Sequence, residues 1–577
     1  MKKLFVYLKE YKKECVIAPL FKALEVAFEL LVPLIMAYII DSGIPAGEKG
    51  NITPIVIGCL VLLALGVIGL SCTLIAQFFS ANAACGFAKN IKAALFKHVG
   101  DLSYSDLDKL GTSSLVTNLT SDVNQIQTGT NLTLRLFLRS PLVVFGAMIM
   151  AFTVDAKAAV SFAVVIPALA IVVFGIMLAS MPLYKRVQNA LSRVLRRTRE
   201  NLGGVRVIRA FCHEDEEVET FRKENDFLTK CQKFVGRISA LLNPLTYVIV
   251  NLGIVWLLWS STARVQSGDL TQGEVIALWN YMSQILVELV KLANLIITMT
   301  KAAACGNRIS EVLAITPSQS YPAEAPKENA DAPVVAFENV SFRYEGAGAE
   351  ALSAITFHAL RGETVGIIGG TGSGKSTLIN LIPRFYDATE GRVSVNGVSV
   401  LDYPKDTLLG KIGIVPQKAV LFSGSIRENL LWGKPDATEE ECYRALEKAQ
   451  ALDVVKSKGE GLDYLLEEGG KNLSGGQRQR LTIARALVRN PEILILDDAA
   501  SALDLATDAA LRRALAKEEC TVFIVSQRIA SVRGADKILV LDDGELVAVG
   551  THDDLLASSE VYREIYESQY KREEESV

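Results

Sequence analysis

The chain has 577 residues, enough for several domains of ordinary size. Half of the residues are hydrophobic and the formal net charge is −4, so the composition argues against nucleic-acid binding through a basic surface. Long apolar runs dominate up to about residue 300, whereas the sequence from residue 333 onward mixes charged and apolar residues.

Six apolar runs in the first half are each long enough to cross a bilayer, which takes about 20 residues per helix. They cover residues 16–40, 54–79, 136–154, 158–181, 238–262 and 273–299. We predict a six-helix membrane domain over residues 1–315. Basic residues concentrate in segment 182–237, whereas the connections after the first, third and fifth spans hold only Lys49, Lys157 and Arg264. This bias predicts a multi-pass protein of the cytoplasmic (inner) membrane with both termini and the second half in the cytosol.

Segments 81–135 and 183–237 are too long and too helix-prone to be loops. We expect each to consist of two membrane helices that continue into the cytosol and meet at a short turn.

Ionisable residues interrupt two of the apolar runs. The first run holds Lys22, Glu25 and Glu29, and the sixth holds Glu288 and Lys291. One interpretation is structural, with Lys22–Glu25 and Glu288–Lys291 as i,i+3 pairs that face a wet vestibule. The other is functional, because ionisable groups at membrane depth often mark a transport pathway. Glu29 has no partner in its own span, so our hypothesis is that it lines an inward-facing cavity for amphipathic molecules, cationic ones included.

Residues 316–333 contain four prolines and are predicted to be a semi-rigid linker. The second domain then covers residues 334–577.

A complete phosphate-binding loop follows the strand-like run 364–368 and precedes a helical pattern that begins near Thr377. The loop consists of Gly369, Gly370, Thr371, Gly372, Ser373, Gly374, Lys375 and Ser376. Its backbone N–H groups can surround the phosphates of a nucleotide, Lys375 can neutralise them, and the Ser376 hydroxyl can bind Mg²⁺. Because the loop lies between a strand and a helix, as this motif requires, the sequence predicts that it binds a nucleotide.

A second glycine-rich turn lies about a hundred residues later. It consists of Ser474, Gly475, Gly476 and Gln477, and the helical pattern 478–487 follows it. Ser474 can cap that helix and direct its positive end at a phosphate.

These features in this order resemble a half-transporter of the ATP-binding cassette (ABC) exporters over almost the whole chain. The resemblance rests on the six spans, Tyr344, the phosphate loop, Gln417, the 473–477 turn and the run 494–498. It implies a type I exporter-like membrane domain of six α-helices with long cytoplasmic extensions, followed by an α/β P-loop ATP-binding cassette domain. It also implies that segments 111–123 and 200–211 carry the short coupling helices that press on the nucleotide-binding domains.

The resemblance assigns roles to several residues, with ATP and Mg²⁺ as cofactors. Tyr344 would stack on adenine, which contributes roughly 1–3 kcal/mol. Ser376, Gln417 and Asp497 would hold Mg²⁺, and Gln417 would also sense the attacking water. Residues 474–477 would close over ATP held by a partner subunit, because two cassettes of this family pair head to tail.

Two residues depart from the family pattern. Members that hydrolyse ATP efficiently have glutamate after the magnesium aspartate, where this chain has Asp498. A carboxylate withdrawn by roughly 1.5 Å falls short of the contact that a general base needs unless the backbone shifts. The family histidine is replaced by Gln527, which can donate a hydrogen bond but carries no positive charge. The resemblance therefore implies slow hydrolysis at this chain's own site.

The implied function is ATP-driven export of hydrophobic or amphipathic, drug-like compounds by one half of a heterodimer. The partner would be a second ABC half-transporter with glutamate and histidine at the two catalytic positions. A lipid flippase, an exporter-fold importer and a nucleotide-gated channel or regulatory subunit remain open.

Overall fold

The computed structural model describes residues 2–574 and divides the chain into two compact units. The first comprises residues 1–100 and 112–315, and the second comprises residues 101–111 and 316–577, of which the termini outside 2–574 are not described. The boundary after Ile315 separates the apolar half of the sequence from the charged half.

Long helices dominate the first 315 residues. Their bounds are α1 Lys12–Tyr38, α2 Ile44–Glu48, α3 Thr53–Asp101, α4 Tyr104–Leu110, α5 Thr112–Thr117, α6 Val123–Leu136, α7 Arg139–Val154, α8 Val160–Gly203, α9 Val205–Ala210, α10 Glu214–Ala240, α11 Leu242–Ser267 and α12 Gln272–Val312. Six helical stretches within residues 2–574 are long and apolar enough to span a membrane, as the sequence predicts. They cover Lys3–Glu48, Thr53–Asp101, Thr112–Val154, Val160–Gly203, Glu214–Ser267 and Gln272–Val312.

Polar contacts fix the start of α12 against the end of the first span. Thr271 caps α12 in a reciprocal capping box with Glu274. The Asp41 carboxylate accepts hydrogen bonds from the Thr271 hydroxyl at 2.6 Å and from the Gly273 N–H at 2.8 Å. A Cβ at Gly273 would lie 2.4 Å from the Ala37 carbonyl oxygen, so the close approach requires glycine there.

The first predicted coupling segment is wrong in its position. Of the predicted segment 111–123, only Gly111 falls in the second unit; the rest belongs to the first unit, where helix continues through Thr112–Thr117 and Asn118–Asp122. The short helix that packs within the second unit is α4, whose capping box joins Ser103 and Asp106. The second predicted segment contains the short helix α9 and is largely exposed.

The second unit is an α/β domain with three sheets. Its strands are β1 Val335–Phe342, β2 Leu352–Ala359, β3 Thr364–Gly369, β4 Glu390–Val395, β5 Val398–Ser399, β6 Ile412–Val415, β7 Gly424–Ser425, β8 Leu465–Leu466, β9 Ile493–Asp497, β10 Thr521–Val525, β11 Lys537–Asp542 and β12 Glu545–Gly550. Its remaining helices are α13 Lys375–Leu381, α14 Lys405–Lys411, α15 Ile426–Leu431, α16 Glu439–Lys448, α17 Leu452–Lys456, α18 Gly475–Leu487, α19 Leu505–Leu515, α20 Ile529–Val532, α21 His552–Ser558 and α22 Glu560–Glu574.

The central sheet has the strand order β12-β11-β3-β10-β9-β6, in which β11, β3, β10, β9 and β6 are parallel and β12 is an antiparallel edge. These parallel strands are near-continuous apolar runs because helices cover both faces of such a sheet. The sheet β2-β1-β4-β5 is antiparallel.

The predicted linker is part of this second unit. The Gln319 amide donates to Asp387 at 3.0 Å, and Ser318 N–H donates to Asp106 at 3.0 Å. These contacts, one to α4 and one to Asp387, hold the segment within the second unit.

Candidate functional site

Predicted site residues that are far apart in sequence meet at one edge of the central sheet. Ligands of open α/β sheets bind at the carboxyl ends of the parallel strands, and β3, β10, β9 and β6 are neighbours there. The cavity at this edge measures about 330 Å³. Its lining residues are Tyr344, Ala351, Thr371, Gly372, Gly374, Lys375, Ser376, Thr377, Gln417, Asp497, Asp498, Val525, Ser526 and Gln527. Among the predicted residues, Gly369, Gly370, Ser373 and the 474–477 turn do not line it.

The phosphate loop turns sharply between β3 and α13. Gly374 caps α13 with a φ of +90°, a conformation that L side chains rarely adopt. A Cβ at this position would also lie 2.6 Å from the Ala351 carbonyl oxygen. Both constraints require glycine, so this residue fixes the path of the loop.

Lys375 lies under the loop and is 9% exposed. Its ammonium group donates to the Gly369 carbonyl oxygen at 3.0 Å. Burial lowers the pKa of Lys375, and the carboxylates of Asp498 and Asp497 oppose that shift. The cation is thus positioned at the loop where a phosphate would meet it.

The predicted magnesium ligands fit that ion. The Ser376 hydroxyl donates to Asp497 at 3.0 Å, and Gln417 lines the same cavity. Burial raises the pKa of Asp497; the Ser376 hydrogen bond lowers it, and the Asp498 charge adds to the increase. Mg²⁺ in phosphate sites needs only one or two carboxylates plus phosphate oxygens. Within residues 2–574, no cluster of three or more His, Cys, Asp or Glu side chains could hold a metal by itself.

The Asp498 backbone is held on both sides. Its N–H donates to the Val525 carbonyl oxygen at 3.0 Å, and its own carbonyl oxygen accepts from the Ser501 hydroxyl at 2.7 Å. Its φ of +47° is unusual for a residue other than glycine. Its carboxylate accepts from the Gln417 amide at 3.4 Å. These bonds resist the backbone shift that would compensate for the short side chain.

Gln527 follows β10 and is exposed in the cavity. Its backbone carbonyl oxygen accepts a hydrogen bond at 2.7 Å from the side-chain amide of Gln569 in α22. Gln569 also accepts from the Ile529 N–H at 3.0 Å. The C-terminal helix thus braces the Gln527 loop, a role that sequence reasoning missed because an isolated glutamine in a helix gives no signal.

Tyr344 joins the cavity to an aromatic cluster. Its hydroxyl lies 3.0 Å from the Thr377 hydroxyl. Its ring meets Tyr386 edge-on at 5.3 Å between centroids. The Tyr386 hydroxyl donates to Asp108 of α4 at 2.8 Å, while Tyr104 of α4 packs on Phe385 at 4.5 Å. The chain thus links its predicted adenine platform to α4 through two tyrosine rings.

The glycine-rich turn caps α18. The Ser474 hydroxyl accepts from the Gln477 N–H at 3.3 Å, and the Gln477 side chain accepts from the Ser474 N–H at 3.0 Å. Ser474 and Gly475 are exposed. The capping predicted for the serine is therefore present, and the turn does not line the cavity of the chain's own phosphate loop.

The ionisable residues of the membrane helices form one network. Lys22 pairs with Glu25, and Lys291 pairs with Glu288, as one interpretation of the sequence proposed. Arg139 of α7 joins both pairs to Glu29, which it contacts at 2.8 Å. We did not single out Arg139 in the sequence, although an arginine within an apolar span was a usable signal.

Comparison with known proteins identifies the family. A model of the ABC transporter transmembrane region matches residues 15–289, and an ABC transporter model matches residues 352–501. The chain is 37% identical over 573 residues to the uncharacterized ABC transporter ATP-binding protein YfiB of Bacillus subtilis, covering 99% of each chain. The chain belongs to the ABC transporters. It is a half-transporter of the exporter type, with a membrane domain fused to an ATPase domain that binds and hydrolyses ATP to drive transport.

Two further matches are informative. Bacillus subtilis YgaD, by its name a candidate multidrug export ATP-binding/permease protein, is 32% identical to this chain. The match covers 99% of this chain and 98% of YgaD. The solved structure of a bacterial Atm1-family ABC exporter with ATP bound superimposes with a TM-score of 0.77 at 24% identity, covering 97% of this transporter and 98% of that chain. The predicted fold class, six membrane helices followed by a P-loop ATPase domain, is confirmed.

We expect Lys375→Ala to weaken ATP binding at this transporter's own site by at least about tenfold, because charged hydrogen bonds to phosphate contribute roughly 1.5–3 kcal/mol. Labelled ATP binding to the purified protein measures the effect. Lys405→Ala, which removes an exposed lysine of α14, is the control and should leave affinity unchanged. Equal ATP affinity in both variants would contradict the assignment of the loop.

A second prediction concerns the link between the ATPase domain and α4. Tyr386→Phe removes the hydroxyl that binds Asp108 while retaining the ring contacts. We expect ATP affinity to be unchanged and the stimulation of ATPase activity by transported compounds to fall by about half or more, since one such hydrogen bond contributes roughly 1 kcal/mol.

Substitutions of Asp108 supply the control for Tyr386→Phe. Asp108→Asn retains an acceptor and should preserve stimulation, whereas Asp108→Ala should reproduce the loss. Full stimulation in both Tyr386→Phe and Asp108→Ala would show that this contact does not contribute to coupling.

Proposed function

We propose that this chain is one half of a heterodimeric exporter of hydrophobic or amphipathic compounds and that its own ATP site is weakly hydrolytic. The single observation that carries the proposal is the meeting of Asp498 and Gln527 in the cavity of the phosphate loop. Both positions depart from the residues that the resemblance leads one to expect, and a misplacement near 1 Å can lower a rate on the order of a hundredfold. The bonds that hold the Asp498 backbone support the same conclusion.

The intact turn at residues 474–477 supports the heterodimer. It is exposed, capped and outside the chain's own cavity. A turn of this kind presents backbone N–H groups and a helix N-terminus to a phosphate. In our proposal it closes over ATP held by a partner half-transporter that has glutamate and histidine at the catalytic positions, and that composite site carries most of the hydrolysis.

In the bound state we assign roles to this chain's own residues. Tyr344 stacks on adenine, Lys375 and the loop residues hold the phosphates, and Ser376, Gln417 and Asp497 hold Mg²⁺. The ion would neutralise phosphate charge when bound. Asp498 and Gln527 occupy the catalytic positions. Asp498 is shorter than the glutamate expected there, and Gln527 cannot carry the positive charge of the expected histidine.

Substrate class and location are also proposals. The multidrug names of YgaD and of Bacillus subtilis YheI, which is 34% identical over 83% of this chain, favour export of drug-like amphipathic compounds. The basic segment 182–237 favours an orientation in the cytoplasmic membrane with the ATPase domain and both termini in the cytosol.

The test is reconstitution in liposomes. We would reconstitute this chain alone, and with the half-transporter that co-purifies with it from its native membrane, and follow ATP-dependent movement of fluorescent amphipathic compounds. ATP-driven flux away from the ATPase side with the heterodimer, and little with this chain alone, would support the proposal. Flux toward the ATPase side would indicate an importer, leaflet-specific lipid movement a flippase, and ion conductance without substrate flux a channel.

A further inference from the structure

Six charged side chains within the membrane helices form a single neutral network. Three are cationic and three anionic, and they come from the first, third and sixth spans. The members are Lys22, Glu25, Glu29, Arg139, Glu288 and Lys291. Arg139 is its centre, because its guanidinium group contacts all three glutamates. Charges at this depth persist only when they are paired or face a polar cavity.

The three glutamates differ in how many ion-pair partners they have. Glu25 is also paired with Lys22, and Glu288 also accepts from Lys291 at 2.8 Å and from Ser140 at 3.0 Å. Glu29 has only Arg139 as an ion-pair partner in the described part of the chain. Its side chain is also the most exposed of the three, at 36% against 13% and 4%. A ligand that competes with Arg139 for Glu29 leaves the guanidinium bound to the other two carboxylates.

Glu29 opens into a cavity of about 490 Å³ between α1 and α3. This volume lies within the range of small-molecule sites, roughly 300–1,000 Å³. Glu25, Glu29 and Arg139 supply its charged end. The remaining wall is mostly apolar and includes Phe28, Val32, Leu62, Leu65, Gly66 and Gly69. A Cβ at Gly66 or Gly69 would meet nothing within 4 Å, so these glycines leave open space along α3.

We infer that this cavity binds lipophilic monovalent cations, with Glu29 as the counter-ion and the α3 wall as the apolar contact. This inference rests on the proposed export function and specifies its substrate class. An anion would face two carboxylates and an arginine already shared by three acids. A cation can bind the Glu29 carboxylate, because Arg139, the ion-pair partner of Glu29, also contacts Glu25 and Glu288. Because the cation adds a net positive charge to a neutral network, its affinity should be modest, which allows release after transport.

Two probes of nearly the same shape test the inference. Tetraphenylphosphonium and tetraphenylborate each carry four phenyl groups and differ in the sign of their charge. We would measure their binding to the full chain in lipid nanodiscs by equilibrium dialysis, with empty nanodiscs to correct for partition into lipid. We expect saturable binding of tetraphenylphosphonium and none of tetraphenylborate.

Substitutions then locate the site. Glu29→Gln should weaken tetraphenylphosphonium binding by at least about tenfold, the effect of a difference near 1.4 kcal/mol. Glu29→Asp keeps the charge and should retain most of the binding. Should Glu29→Gln prove unfolded by thermal denaturation, Gly66→Leu provides an independent variant, because it fills the open wall without altering any charge and should also block binding.

Several outcomes would overturn the inference. These are unchanged tetraphenylphosphonium binding in a folded Glu29→Gln protein or in Gly66→Leu, equal saturable binding of the two probes, or no saturable binding of the cation. ATP-driven export of a neutral amphipathic compound together with any of these results would refute the cation site and leave the proposed function standing. Cation binding without ATP-driven export of any compound would refute the proposed function instead.

Discussion

In the proposed heterodimer, removal of the partner's catalytic glutamate is expected to lower steady-state ATP turnover by about a hundredfold or more, whereas Asp498→Asn in this chain should lower it by less than about twofold. A positioned general base contributes roughly 10²–10⁴-fold to a rate, and only the partner's site should have one in reach. The Asp498 backbone is hydrogen-bonded to Val525 and Ser501, so we expect its carboxylate to stay short of the position that a glutamate would reach.

Phosphate release from purified complexes of defined composition measures this asymmetry. This chain alone should be feebly active, since any site that it forms with itself would have Asp498 and Gln527. As the matched variant, Asp498→Glu with Gln527→His restores both missing groups and should raise hydrolysis at this site. Robust activity of this chain alone that Asp498→Asn abolishes would show that Asp498 is a working base and that the asymmetry is wrong.

The second large effect is expected at the signature turn. Ser474→Ala with Gly476→Asp should reduce turnover of the heterodimer by at least about tenfold while ATP still binds at this chain's own phosphate loop. The first change removes the cap of α18, and the second places a carboxylate where the helix N-terminus would attract a phosphate. Repulsion between two anions at that position opposes closure over the partner's ATP.

A helix cap elsewhere in the domain provides the control for this variant. Thr438 caps α16 in the same reciprocal manner with Glu441. Thr438→Ala should therefore lose a similar stability, roughly 1 kcal/mol, without affecting turnover. If the Ser474 and Gly476 variant turns over ATP as fast as Thr438→Ala does, the turn does not serve the productive site.

Local sequence patterns predicted the parts of the ATPase site that depend on neighbouring residues. The strand-like run 364–368 forms β3 with one further residue, Gly369, and the helical pattern 478–487 lies within α18. Apolar runs bounded by turn residues are reliable signals for buried strands, and glycine spacing fixes the loop. The meeting of these elements at one edge follows from the strand order of the central sheet, which local patterns did not predict.

Contacts between distant residues were harder to predict. The first coupling segment was expected at residues 111–123, whereas the short helix that belongs to the second unit is α4, which begins at the Ser103–Asp106 capping box. Arg139 lies within an apolar run. Its role depends on Glu29 and Glu288, which are 110 and 149 residues away in sequence. The Gln569 contact with Gln527 depends on how α22 folds back, which no local pattern encodes.

The Arg139 network also affects how the polypeptide enters the membrane during synthesis. The first span carries three ionisable side chains, and each charged residue near the centre of an inserting helix costs roughly 2.5–3.5 kcal/mol. Arg139 is made 110 residues after Glu29, and Glu288 a further 149 residues later. At about 5–20 residues per second, Arg139 follows Glu29 by roughly 5–20 seconds. The first span thus inserts without Arg139, which can neutralise Glu25 and Glu29 only after the third span has been made.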